Sequence, residues 1–179
     1  MKTIVLVGVP GCGKSSILKE VEALVQVVNY GDQMLAVGAR EGLNRDKLRK
    51  LPVLEQREIG IKAAKKILAE KKGTILIDTH ALIRTDVGFC PGLPAEVLEI
   101  LSPSALAWIE CKPSLIIERR ASDVSRKRDL ESEEELRLHQ ELVRSYLAAC
   151  SAATGAILCR IVNDSPSIAE NAKPLIRLI

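Results

Sequence analysis

The sequence predicts an α/β domain in three layers, a parallel sheet of five strands with helices on both faces. Three observations predict it. Short apolar runs recur without polar alternation, as strands buried on both faces require. Long helical patterns separate those runs. A glycine-rich loop follows the first run and opens the first helix, the setting in which a phosphate-binding loop works.

The strands fall at residues 4–7, 75–77, 106–109 and 157–162, with a weaker fifth at 26–29. Helical patterns cover 14–25, 54–71 and 133–153. Ser132 and Glu135 form a capping-box signature, and Gly155 is placed to stop the helix that they start. Pro94, Pro113 and Pro166 each stand where a first helical turn would begin, where a missing N–H costs nothing. Strand and helix alternate throughout, without internal repeats or low-complexity tracts, so residues 1–179 are expected to form one domain.

Composition narrows the function classes. Aromatic residues make up only 2% of the chain, so the core must be assembled from Leu, Ile, Val and Ala, and Trp108 is the sole indole. Net charge is +3 from 26 basic and 23 acidic residues, too small to point to a nucleic-acid partner. Five cysteines without a C-x-x-C pair speak against a disulfide framework and a zinc site. No run reaches the roughly 18 apolar residues of a membrane span. Residues 3–7 lack the flanks of a signal peptide. A cytoplasmic protein without a membrane partner is expected.

Gly8, Val9, Pro10, Gly11, Cys12, Gly13, Lys14 and Ser15 fit G-x-x-x-x-G-K-[ST] without deviation, with Ser16 in the same first helical turn. Glycines let backbone N–H groups converge on phosphate oxygens, and the helix N-terminus adds a favourable dipole. Lys14 would neutralise the β- and γ-phosphates, and the Ser15 hydroxyl could ligate Mg²⁺. Cys12 is expected to contribute backbone; an exposed thiol there would make the site oxidation-sensitive.

The loop does not choose between GTPase, motor ATPase and kinase. The D-x-x-G and N-K-x-D of a GTP switch are both missing from the sequence, and a motor would be longer. A small-molecule kinase remains, which needs a second pocket and several arginines. Asn29, Tyr30, Gly31 and Asp32 end the second strand at the edge where open α/β sheets bind ligands. Arg49 shares a charged helix with Arg45, Lys47 and Lys50. Asp78 ends a buried strand, where a lone carboxylate needs a partner such as Mg²⁺. His80 could polarise a substrate group or serve structurally. Arg84 and Phe89 lie in a stretch, 81–93, that reads as a long functional loop. Five basic residues lie between Arg119 and Arg128, and Arg120, Arg126 and Arg128 are the candidates to stabilise a transferring phosphoryl group. Arg137 and Arg144 are weaker ones. The plainer reading of the basic stretch is an exposed segment paired with the acidic residues 131–135.

An ordered series resembles the archaeal-type adenylate kinases along essentially the whole chain: the phosphate loop, Asn29-Tyr30-Gly31-Asp32-Gln33-Met34-Leu35, Arg45-Asp46-Lys47-Leu48-Arg49-Lys50-Leu51-Pro52, Asp78-Thr79-His80, Pro91-Gly92-Leu93-Pro94 and Arg126-Lys127-Arg128-Asp129. The resemblance implies a P-loop kinase fold with inserted monophosphate-binding helices over about 30–70 and a short lid over about 120–131. It implies ATP and AMP converted to two ADP with Mg²⁺, in a homotrimer. It places the AMP site at Asn29 to Asp32, with Arg49 and Arg84 on the monophosphate. Base choice is not legible, so CMP or UMP as acceptor stays open, as does a nucleotide-gated role in ribosome assembly.

Overall fold

The computed structural model describes residues 2–38, 44–122 and 131–179, the side chains of Asp46 and Arg49 excepted. The sheet is parallel and five-stranded, made by β1 (Thr3–Gly8), β2 (Gln26–Asn29), β3 (Ile75–Asp78), β6 (Ala105–Glu110) and β7 (Ile157–Val162) in the order β2-β3-β1-β6-β7. β1 is central, and all six of its residues are buried, as its unbroken apolar run requires. Fully burying each Ile, Leu or Val in this layer stabilises the fold by about 1.5–3 kcal/mol. Trp108 lies on β6 in register with Val7 of β1 and Arg160 of β7, 8% exposed.

β3 flanks β1 on one side and β6 on the other, so the chain changes its direction of travel across the sheet at β1. Open α/β sheets bind ligands beyond the strand ends at such a reversal. Between β2 and β3 lie α2 (Tyr30–Gly38), α3 (Arg45–Arg49) and α4 (Val53–Glu70). The remaining helices are α1 (Lys14–Lys19), α5 (Ala95–Leu101), α6 (Pro113–Ser122), α7 (Glu133–Thr154) and α8 (Ile168–Ile176). Pro94 is the N-cap of α5, Pro113 opens α6, and Ser167, after Pro166, caps α8. The capping box at Ser132 and Glu135 is present, and α7 ends at Gly155.

Two expectations need correction. The first helix ends at Lys19, not at residue 25: beyond it, Glu20, Val21 and Leu24 donate to the carbonyl three residues back while Glu22 and Val25 donate four back, so the chain continues as irregular turns. Ile17, Val21 and Val25 are nonetheless all buried, so the helical spacing read a real apolar face. The stretch 81–93 is no open loop either. Leu82–Thr85 (β4) and Gly88–Pro91 (β5) pair as an antiparallel hairpin.

Candidate active site

The site grows from the C-terminal ends of β1 and β3. Gly8 ends β1, and a methyl group there would lie 2.5 Å from Cys12 Sγ, so the sulfur fills the space under the loop. Cys12 is fully buried, its N–H closes a turn on the Val9 carbonyl at 3.1 Å, and burial pushes its thiol above the ordinary value against the pull of Lys14. That removes the condition for oxidation sensitivity: the thiol is not exposed. Gly13 caps α1 at φ 86, in the left-handed region, and a Cβ there would collide with Asn163 Nδ2.

Asn163 follows β7 and is wholly buried. It donates to the Cys12 carbonyl at 2.8 Å and accepts from Asn171 Nδ2 at 2.8 Å. Arg119, on α6, donates to the same Cys12 carbonyl at 3.3 Å and to the Asn163 carbonyl at 3.1 Å. The loop is thus braced from beneath by two later elements. His80 Nδ1 donates to the Gly8 carbonyl at 3.0 Å, which requires the proton on Nδ1 and ties His80 to the loop.

On the other side, Lys14 Nζ meets Asp78 Oδ1 at 2.5 Å and donates to the Thr79 carbonyl at 2.6 Å. Both charged side chains are 13% exposed. Asp78 is thus paired with Lys14. Asn29, the register partner of Asp78, donates to Asp78 Oδ2 at 2.7 Å. Its Oδ1 accepts from Asp32 N–H at 3.1 Å and from Arg45 Nη2 at 3.0 Å, and Arg45 reaches Asp32 Oδ1 at 2.6 Å. Lys14, Asp78, Asn29, Arg45 and Asp32 form one unbroken polar chain across adjacent strand ends.

Other site candidates fall as follows. Tyr30 is 2% exposed and donates to the Gly60 carbonyl at 2.8 Å, so its phenol is engaged in packing α2 on α4. Gly31 lies against Asn29 and Arg45. Arg49 ends α3, and its side chain lies outside the described residues, as do Arg126 and Arg128. Ser15 and Ser16 are exposed in the first turn of α1. Arg84, on β4, approaches Glu131 at 2.9 Å and Glu135 at 2.6 Å. Arg120 donates to Pro10 O and to Glu131, and its side chain lies against Gly11. Phe89 packs on His139 with ring centroids 4.8 Å apart, which makes it an anchor of the hairpin. Arg137 and Arg144 line a cleft of about 240 Å³ beside Glu110 and Arg160. Sequence reasoning missed Arg45 as the partner of Asn29, and it missed Arg119, Asn163 and Glu131; only Arg45 lay inside a motif.

Oxygen donors suit a hard cation. Asp78 and Ser15 offer two, and among the described residues no three His, Cys, Asp or Glu side chains gather to hold a metal. A carboxylate and a hydroxyl fit Mg²⁺ bound largely through phosphate oxygens and water.

A family model described as an AAA domain matches residues 7–137, from the end of β1 into α7. The adenylate kinase of Pyrococcus furiosus is 39% identical, with 98% of this chain and 94% of the relative covered. That of Methanothermobacter thermautotrophicus is 41% identical, over 96% and 95%. The chain belongs to the adenylate kinase family. Solved structures of other kinases share the fold: a shikimate kinase from Acinetobacter baumannii in complex with shikimate matches with a TM-score of 0.65, at 17% identity, over 99% of this chain and 92% of that one. A gluconokinase from Sinorhizobium meliloti gives 0.56 at 19% identity, over 99% and 93%. No helix among the described residues is long and apolar enough to cross a membrane.

Proposed function

We propose that the chain transfers the terminal phosphoryl group of ATP to AMP, giving two ADP, reversibly and with Mg²⁺. The observation that carries this reading is the polar chain Lys14–Asp78–Asn29–Arg45–Asp32, which connects the phosphate cradle to a second group of donors and acceptors at the end of β2. The cradle backbone and Lys14 hold the donor phosphates. Ser15 and Asp78 would hold Mg²⁺, which would supply charge neutralisation to the phosphates. Asn29, Gly31, Asp32, Arg45 and Arg49 form the acceptor side. Arg84, Arg120, Arg126 and Arg128 take up charge on the transferring group, as a loose transition state demands. Residues 30–70 act as the monophosphate-binding insert and 120–131 as the lid, within one domain.

Purified protein with Mg²⁺ should turn ADP into ATP and AMP, and a panel of AMP, CMP, UMP and GMP with ATP should show AMP preferred. Failure of ADP to disproportionate across a broad pH range would overturn the reading; a preference for CMP or UMP would keep the chemistry and move the acceptor. The resemblance further supports a cytoplasmic homotrimer, which light scattering on the purified protein would test.

A further inference from the structure

Glu131 stands immediately before Ser132, the N-cap of α7. The capping box fixes how the chain meets the helix: Ser132 N–H donates to Glu135 Oε2 at 2.8 Å, and Glu135 N–H donates to Ser132 Oγ at 3.2 Å. Glu131 is thereby turned inward, its side chain only 7% exposed. A buried carboxylate is costly unless it is paired. Two arginines from different parts of the fold pair it. Arg120, at the end of α6, donates to Oε2 at 2.7 Å, and Arg84, on the β4–β5 hairpin, lies 2.9 Å from Oε1. Arg120 also grips the cradle, with Nε and Nη2 on the Pro10 carbonyl at 3.0 and 2.7 Å. A bridge thus runs from the hairpin to the phosphate cradle with one carboxylate at its centre. His139, 3% exposed on α7, backs that carboxylate at 3.7 Å. Burial pushes Glu131 upward, but Arg120 and Arg84 outweigh it and hold its pKa below the ordinary carboxyl value.

We propose that Glu131 is a positioning residue for phosphoryl transfer, holding the Arg84 and Arg120 guanidiniums side by side for the group in transit. The inference rests on the kinase reading above. Two guanidiniums this close repel each other, and each ends a side chain with several rotatable bonds. A shared anion removes the repulsion and, with Glu135 on the other nitrogen of Arg84 at 2.6 Å, fixes both directions before nucleotide arrives. A guanidinium has five N–H donors, so it can keep one on Glu131 and turn others toward phosphate oxygens. The charge of Glu131 is what matters, and an amide of the same shape would not replace it.

The test uses the full chain and compares Glu131→Gln, Glu131→Asp, Arg84→Ala and the Arg84→Ala/Glu131→Gln double variant. Each is measured for kcat and KM with ADP, for ADP binding by calorimetry, and for Tm. Loss of fixed geometry should lower kcat of Glu131→Gln by about 10- to 100-fold without weakening ADP binding. Glu131→Asp, which keeps the charge, should recover part of that loss. The double variant should lose clearly less than the product of the single losses, because Glu131 acts through the arginine. Unchanged kcat in Glu131→Gln, or losses that multiply in full, would overturn the inference. So would a fall in kcat that merely tracks a fall in ADP binding and Tm, as a structural role would produce. Should Glu131→Gln not fold, Glu131→Asp is judged alone: reduced kcat with unchanged ADP binding supports the role, and wild-type kcat rejects it. Wild-type protein inert toward ADP would take down the kinase reading and this one together, whereas an active wild type with a normal Glu131→Gln removes only this one.

Discussion

The phosphate cradle and the β4–β5 hairpin both carry cations of the proposed site, and they are held by opposite means. The cradle is held through its backbone: Asn163 and Arg119 grip the Cys12 carbonyl, and His80 grips that of Gly8. Its supports come from just after β3 and β7 and from α6 and α8, with Asn163 and Asn171 buried and His80 and Arg119 half-buried. The hairpin has two strands of four residues, and Arg84 on it is 41% exposed and paired with carboxylate side chains. Backbone anchoring sets a geometry before any ligand arrives. Ion pairs between side chains can be exchanged for phosphate when one does. Substitutions in the cradle should therefore damage stability and catalysis together, and substitutions on the hairpin catalysis alone.

The sharpest break of that contrast is Lys14→Met, which should lower turnover by about 100-fold or more, by the magnitude that single oxyanion-stabilising donors carry. Steady-state ADP disproportionation would read it, and near-normal activity would mean that the cradle is not the site of transfer. Asn163→Ala comes next. It leaves the Asn171 amide without its Asn163 acceptor and strips a donor from the Cys12 carbonyl, at a cost of about 2–4 kcal/mol with a raised KM for ATP. Urea unfolding would show it, and unaltered stability would contradict the backbone anchoring. Arg84→Ala should lower kcat and raise the KM for AMP, each by roughly tenfold, while unfolding free energy moves by less than about 1 kcal/mol, since Arg84 is half-exposed and Glu131 keeps Arg120 as its buried partner. A large loss of stability would erase the distinction between the two regions.

The smallest effect concerns pH. Burial pushes the pKa of His139 below its ordinary value, against the opposing pull of Glu131. The unfolded chain then takes up the proton more readily than the folded one. Stability present above about pH 6.5 is lost as pH falls through the folded-state value. Glu131, held below its ordinary 4.5, loses its contribution only at lower pH. Between pH 7.5 and 5.5 the Tm of wild type should fall more than that of His139→Gln. Parallel declines would show that His139 does not carry the dependence.

What was legible in the sequence was local. The cradle, the strand that feeds it and the capping box each occupy a few consecutive residues whose chemistry is unambiguous. Asn29 and Asp78 could be placed at strand ends, but the hydrogen bond between them depends on β2 lying beside β3, which no local pattern states. The hairpin escaped notice because Leu82–Thr85 and Gly88–Pro91 are too short to alternate visibly. Asn163 and Arg119 are 44 residues apart and meet only because β7 and α6 both end at the cradle. Glu131 was hidden at the edge of an acidic run that reads as solvated surface. Part of that reading holds: Glu131 does pair with a basic residue, Arg120, but the pair is buried, with side chains 7% and 9% exposed.

Trp108 gives the molecule a built-in optical reporter. As the sole indole, on β6 between β1 and β7, it senses the collapse of the core and is not part of the hairpin. Its emission should change when the sheet melts and stay constant when Arg84 or Glu131 changes partner. Fluorescence and turnover recorded on one sample would thus separate a chain that has lost its fold from one that has only lost its aim.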